Sequence, residues 1–265
     1  MRKGSLVAGL ISRDRVIIAG CVLLVTVLAW AYLFRLDHQM TAAMASDSMV
    51  ARMGMTMIAP WSAREFVFTF AMWAVMMVGM MAPAVAPVTL LYGQMRTSRD
   101  SRSGAARGLL FGAAQISVWI AFSAVAAMLQ WTLHQAAVLS PGMAVTSSRI
   151  AGAILIAAGA YQLSPVKGEC LSKCQSPLGF LLANWREGNK GAFQLGLRHG
   201  AYCLGCCWAL MLVLFVVGVM NLAAVAVLTA FILLEKLGPS GLRVARAGGV
   251  VMIAFGALTL FKSAT

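Results

Sequence analysis

The sequence predicts an all-α, polytopic transmembrane bundle of about seven helices, and three observations carry that prediction. Of 265 residues, 61% are hydrophobic and only 11% charged, against roughly a quarter charged in soluble domains. Mean hydropathy is +0.84. Apolar runs approaching or exceeding the roughly 20 residues that cross a bilayer recur along the chain. The net charge of +13 could suit nucleic acid, but the basic residues fall between apolar runs instead of lining one face, so no nucleic-acid partner is expected. Their placement reports orientation in a lipid bilayer.

The spans are expected at about 16–34, 66–92, 108–131, 149–165, 199–219, 221–237 and 246–261, the fifth and sixth forming a hairpin broken near Gly218 to Asn221. With the N-terminus inside, 16 of the 21 Lys and Arg residues fall on inner segments, Arg107, Lys167 and Lys236 among them. Arg35, Arg52, Arg64, Arg149 and Lys262 fall outside. The positive-inside rule then gives an inner N-terminus and an outer C-terminus. The first span is long and lacks a small-residue cleavage site, so it reads as a retained anchor.

Residues 1–65 are expected to form an anchor helix and a methionine-rich outer loop, and 66–265 a six-helix metal-binding membrane domain. The loop, 35–65, holds His38, Met40, Met44, Met49, Met53, Met55 and Met57. The inner loop, 166–198, contains Phe180 to Arg186, read as an interfacial helix with Trp185 at the headgroups.

The fifth span opens on His199-Gly-Ala-Tyr-Cys203-Leu-Gly-Cys206-Cys207. Residues three and four apart share a helix face, so Cys203 stands over Cys206 and Cys207, one turn from His199. Thiolates select Cu(I), zinc or iron–sulfur chemistry over hard cations. The plain alternative is cysteine as a small buried hydrophobe. The second span carries Met72, Met76 and Met80 on one row and Met77 and Met81 on another, followed by Pro83 and Pro87. Thioethers bind Cu(I) without deprotonation; methionine is equally an ordinary filler of apolar interiors. Opposite helix directions place Met80, Met81, Cys206 and Cys207 at comparable depth. Glu235 returns to that level opposite His199, either as a functional carboxylate or paired with Lys236. Cys170 and Cys174 form a CxxxC on the inner side.

Together these residues favour binding, translocation or delivery of a soft metal, Cu(I) first and zinc next, with a cytosolic metal chaperone or a cuproenzyme as partner. His199 and Glu235 adjust ligand protonation in this reading. A membrane thiol–disulfide carrier competes, but the intramembrane thiols show no second cysteine across the bundle. The chain has no HExxH and no CxxCH, so hydrolytic and haem chemistry have little support, and it is read as a metal-handling protein more than an enzyme.

The helix from Trp73 to Pro83, Trp-x-x-Met-Met-x-x-Met-Met-x-Pro, and the segment Gly196 to Trp208, Gly-x-x-His-Gly-x-Tyr-Cys-x-Gly-Cys-Cys-Trp, occur with Gly-Val-Met-Asn at Gly218 to Asn221 and with Glu235-Lys236. This combination resembles a bacterial family of predicted metal-binding integral membrane proteins of unknown function, over about residues 66–262. The resemblance implies a bound metal and residence in the bacterial inner membrane.

Overall fold

The fold is known from a computed structural model, which describes residues 2–52, 62–95, 104–136, 138–140 and 143–263, without the side chains of 2–12 and 41–52. Among the described residues there are nine helices: α1 (Arg2–Arg52), α2 (Ala63–Gln94), α3 (Gly104–Gln135), α4 (Ser148–Leu163), α5 (Pro165–Gln175), α6 (Pro177–Ala183), α7 (Gly188–Val217), α8 (Leu222–Leu237) and α9 (Gly241–Lys262). They contain no strand, only an isolated bridge between Leu139 and Val145.

All seven expected spans are helical, and five or six of the described helices are long and apolar enough to cross a membrane. Residues 13–40 of α1, and α2, α3, α7 and α9, are long and apolar enough to cross a membrane. A sixth is added if α4 and α5, bent by 61° at their junction, act as one broken span. At 1.5 Å per residue the 16 residues of α8 reach roughly 24 Å, short of the roughly 30 Å hydrocarbon core. The outside of the bundle is studded with large apolar side chains, Leu24, Leu28, Val125, Val227 and Phe255 among them, a surface that suits a bilayer better than water.

The expected loop at 35–65 is corrected at its start. Helix α1 continues to Arg52 because residues 35–52 contain no Gly or Pro; the first breakers, Gly54 and Pro60, come later. His38 packs on Phe34 at 5.6 Å. Met53, Met55 and Met57, the side chains of Met44 and Met49, and Arg96, Arg99 and Arg102 lie outside the described residues.

Helix α2 starts at Ser62, whose backbone and hydroxyl both donate to Glu65 in a capping box, which satisfies groups left open at a helix start. It continues through Pro83 and Pro87. Pro83 has no N–H, so the Gly79 carbonyl four residues earlier loses its helical donor. The indole of Trp30 on α1 donates to that carbonyl at 3.2 Å instead. A Cβ on Gly79 would stand 3.2 Å from the Ala29 Cβ, so glycine is what lets α1 approach closely enough to cover the break.

Proline also sets the α4–α5 corner. Pro165 disfavours helix at Ser164 and then opens α5 at its first position. Ser164 caps the new helix by accepting from the Lys167 N–H. The bend lays α5 against α7. Short α6 buries Phe180 and Leu181, and Trp185 leans on Tyr92, ring centroids 5.6 Å apart. Phe180 and Leu181 of this segment pack inward while Leu182 is exposed and Trp185 is half-buried.

Helices α4 and α9 cross backbone to backbone. A Cβ on Gly159 would stand 2.6 Å from the Gly249 carbonyl oxygen, and one on Gly152 2.9 Å from that of Gly256. The pairing is antiparallel, and small residues at such a crossing permit close van der Waals packing between apolar helices. Gly249→Val should therefore cost about 1–3 kcal/mol by overpacking, while Gly20→Val, where a new Cβ meets nothing within 4 Å, should cost much less. Chemical unfolding of both variants in detergent checks the contrast; equal midpoints would reject the crossing.

Candidate metal centre

The cysteine turn of α7 faces the centre of the bundle. Cys203, Cys206 and Cys207 are buried to within 1% of their surface. The Cys206 and Cys207 thiols both turn back onto the Cys203 carbonyl, at 3.1 and 3.0 Å, the ordinary resting bond for a polar group with no other partner along a helix. On the α2 side, Met81 Sδ lies 3.9 Å from Cys207 Sγ. Met72, Met76, Met77 and Met80 are buried along the same helix. The two sulfur groups thus meet at one level, as their spacing predicts.

Helix α5 completes the cluster. Cys174 lies beside Cys206, and a Cβ on Gly205 would meet Cys170 Sγ at 3.1 Å. The CxxxC, read as a separate inner-loop feature, lies directly on the cysteine turn, so the expectation that the α7 thiols have no second cysteine across the bundle is overturned. The 61° bend at Pro165 is the cause. All six cysteines are free thiols; Cys21 stands apart on α1. Tyr161 of α4 donates its hydroxyl to the Gly205 carbonyl, tying a further helix to this turn.

The side chain that enters the cluster is one expected among the inner-segment charges, or as the partner of Glu235. Lys236 Nζ lies 2.9 Å from Cys203 Sγ and 3.7 Å from Met81 Sδ, with the residue 4% exposed. Its neighbour Glu235 does not pair with it. The fully buried Glu235 carboxylate takes Lys167 Nζ at 2.8 Å on both oxygens and the Gln162 amide at 2.9 Å. Lys167 also donates to Gln162, and Gln175 donates to the Glu235 carbonyl at 2.7 Å. The available signal for both lysines was position: each follows within three residues of a long apolar run, where a charge must find a partner or a way out.

His199 sits a turn before Cys203, 2% exposed. Its Nδ1 faces Gln115 Oε1 at 2.9 Å, so Nδ1 carries the proton and Nε2 presents a lone pair. That Nε2 is buried with no partner, and the imidazole packs edge-to-face with Phe180, ring centroids 5.0 Å apart. Gly196 and Gly200 lie against α3, where a Cβ on Gly200 would stand 3.2 Å from the Gln115 Cα; this close crossing puts Gln115 within reach of the imidazole.

As these side chains stand, no group of three or more His, Cys, Asp or Glu among the described residues is disposed to hold a metal ion. Two thiols point at a carbonyl and an ammonium occupies the sulfur pocket. The chemistry of the donor set is nonetheless soft throughout: five thiols, a thioether, and an imidazole nitrogen nearby.

A family model described as copper chaperone, PpoB2, matches residues 70–259. The chain belongs to this copper chaperone family. The match spans the methionine rows, both cysteine groups and Lys236, and leaves out α1. It bears out the link to copper, while the membrane family that the motifs resemble is not the one it names. No curated protein and no solved structure matches.

Removing one partner of a buried pair strands the other's charge, at a cost of about 3–5 kcal/mol, whereas replacing both with apolar groups is often neutral. Glu235→Leu should therefore destabilise strongly and Lys167→Met/Glu235→Leu should recover most of the loss, as measured by unfolding midpoints in detergent. A double variant no better than the single would show that the pair is not the unit.

Proposed function

We propose that this chain is a multi-pass protein of the bacterial inner membrane that binds Cu(I) at the cysteine cluster and delivers it to a cuproenzyme, with the N-terminus and the cluster end of α7 on the cytosolic side. One observation carries the reading: a buried cation, Lys236 Nζ, rests on Cys203 and Met81, with Cys206 and Cys207 on the same turn and Cys170 and Cys174 of α5 packed onto it. A pocket of sulfurs that already accommodates one positive charge suits a soft monovalent ion of the same charge. The copper chaperone description of the family points the same way.

In this reading Cys203, Cys206 and Cys207 are the primary ligands, with Cys174 and Cys170 positioned to take the ion by thiolate exchange and pass it toward a cytosolic chaperone or the cuproenzyme. Copper entry displaces the Lys236 ammonium and frees the Cys206 and Cys207 thiols from the Cys203 carbonyl. Thiolate ligation releases protons, and the free Nε2 of His199 is the nearby base described above. Met72, Met76, Met77, Met80 and Met81 line the approach. Softness rises from thioether to thiolate along α2, which favours movement toward the cysteines.

The full chain, purified in detergent and loaded with Cu(I), should retain copper against a moderate chelator, and Cys203→Ala/Cys206→Ala/Cys207→Ala should release it. Met76→Leu/Met80→Leu keeps volume and apolarity, and should slow loading without removing the tightly held ion. Metal-free protein isolated with Cys174 and Cys206 joined as a disulfide would overturn the copper reading and install the thiol–disulfide carrier in its place.

Reporter fusions after residues 98 and 240 should report the cytosol, and one after residue 143 the periplasm. Reversal of that order would reject the orientation and leave the copper test untouched.

A further inference from the structure

Two turns along α2 from the cysteine cluster, a cavity of about 20 Å³ lies between α1, α2 and the start of α8. A cavity of roughly 10–15 Å³ is enough for one water-sized occupant. Its walls include Met72 and Met76 of α2, Met220 from the turn joining α7 to α8, and Asp37 of α1, with Leu33 and Leu36 alongside. Three methionines and one aspartate stand among its nine lining residues, the other five being Leu and Val. Thioethers pass over Mg²⁺, Ca²⁺ and Mn²⁺ and suit Cu(I), while a half-buried carboxylate supplies the negative charge that neutral thioethers lack.

The cavity connects by sulfur to the cluster. Met72, Met76 and Met80 step along α2 four residues at a time, and Met81 ends the row 3.9 Å from Cys207 Sγ. From Met72 to Met81 the helix rises roughly 13 Å. All the methionines between are buried, so the row is sealed from the lipid along its length.

We infer that this cavity is an outer capture site for Cu(I), with Met72, Met76 and Met220 as thioether ligands and Asp37 as the counter-charge, feeding the cysteine cluster along the α2 methionines. The feeding step rests on the copper reading of that cluster; the capture site itself does not.

Cu(I) titrated against a competing chelator into the full chain in lipid nanodiscs should fill two classes of site. Met72→Leu/Met220→Leu, which preserves side-chain volume, should abolish the weaker class and leave the tighter one. Cys203→Ala/Cys206→Ala/Cys207→Ala should do the converse, and X-ray absorption by the copper left on that variant should show thioether sulfur with oxygen. Asp37→Asn should weaken the outer class roughly tenfold, the scale of losing a supporting group around a metal. If the double methionine variant fails to fold, Met220→Leu alone, in the turn outside both helices, should weaken the same class.

Wild-type protein with only the cysteine-dependent class, or methionine variants that keep both classes, would overturn the capture site and leave the cysteine reading standing. Copper held only by the methionine-dependent class would do the reverse. No copper binding of either class would end both.

Discussion

Everything at the centre of this bundle depends on how two ammonium groups are held away from water. Lys167 and Lys236 are buried at neighbouring points, and among the described residues only Glu235 is there to receive them as a carboxylate. An ammonium in apolar surroundings needs a partner or it does not stay. Glu235 and Lys236 are consecutive on α8, so their side chains leave the helix about 100° apart and reach different neighbours. Glu235 goes to α5 and takes Lys167; Lys236 goes to α7 and α2 and finds sulfur. That division does two things at once. The ion pair, reinforced by Gln162 and Gln175, clamps α5 between α4 and α8, and so presses Cys170 and Cys174 onto the cysteine turn. It also leaves Lys236 without a carboxylate, so that Cys203 and Met81 are its contacts.

Backbone breaks carry the same organisation outward. Pro83 frees a carbonyl that would be costly in an apolar bundle, and Trp30 answers it only because Gly79 lets α1 come close. That contact seats α1 on α2 and so helps to form the wall shared by Leu33, Leu36, Asp37, Met72 and Met76. Pro165 works in the other direction, turning a helix that would have run straight into a lid across α7. Glycine at 196, 200 and 205 keeps the α7 surface flat on the faces where α3 and α5 approach, which is why an imidazole, an amide and two further thiols fit around one stretch of helix.

Much of this was legible in the sequence. The apolar runs are helices, the rows at three- and four-residue spacing face inward, and the methionine and cysteine groups share a level because their helices run in opposite directions. What escaped was contact between segments whose connection is not periodic. A CxxxC after a proline reads as a loop motif until the bend angle is known, and nothing in its spacing says that Cys174 meets Cys206. Charge counting carries no information on burial, because it treats every Lys and Arg alike. Arg107, Lys167 and Lys236, three of the sixteen placed on inner segments, are buried, and the last two build the site. Residues 35–52 stay helical because only a breaker ends a helix, and the first, Gly54, comes later. Helix α8, though only 16 residues long, returns Glu235 and Lys236 to the level of Cys203.

The closed state of the cluster bears on what kind of copper protein this is. Under the proposed function, copper must first move Lys236 and turn two thiols off the Cys203 carbonyl, so part of its binding energy is spent on rearrangement. The apparent affinity is then lower than that of the same sulfurs preset around an empty centre, by the fraction of time the open arrangement is populated. For storage that would be a defect. For delivery it is an advantage, because each contact regained on closing helps to drive the ion off, and Lys236 restores one positive charge to the sulfur pocket as Cu(I) leaves. Cys174 lies against Cys206 at the junction with α5, so a departing ion has a second thiol to move to before the first lets go. Under that proposal, a thiol cluster that rests with a lysine on Cys203 and Met81 is better suited to passing a monovalent ion onward than to keeping it.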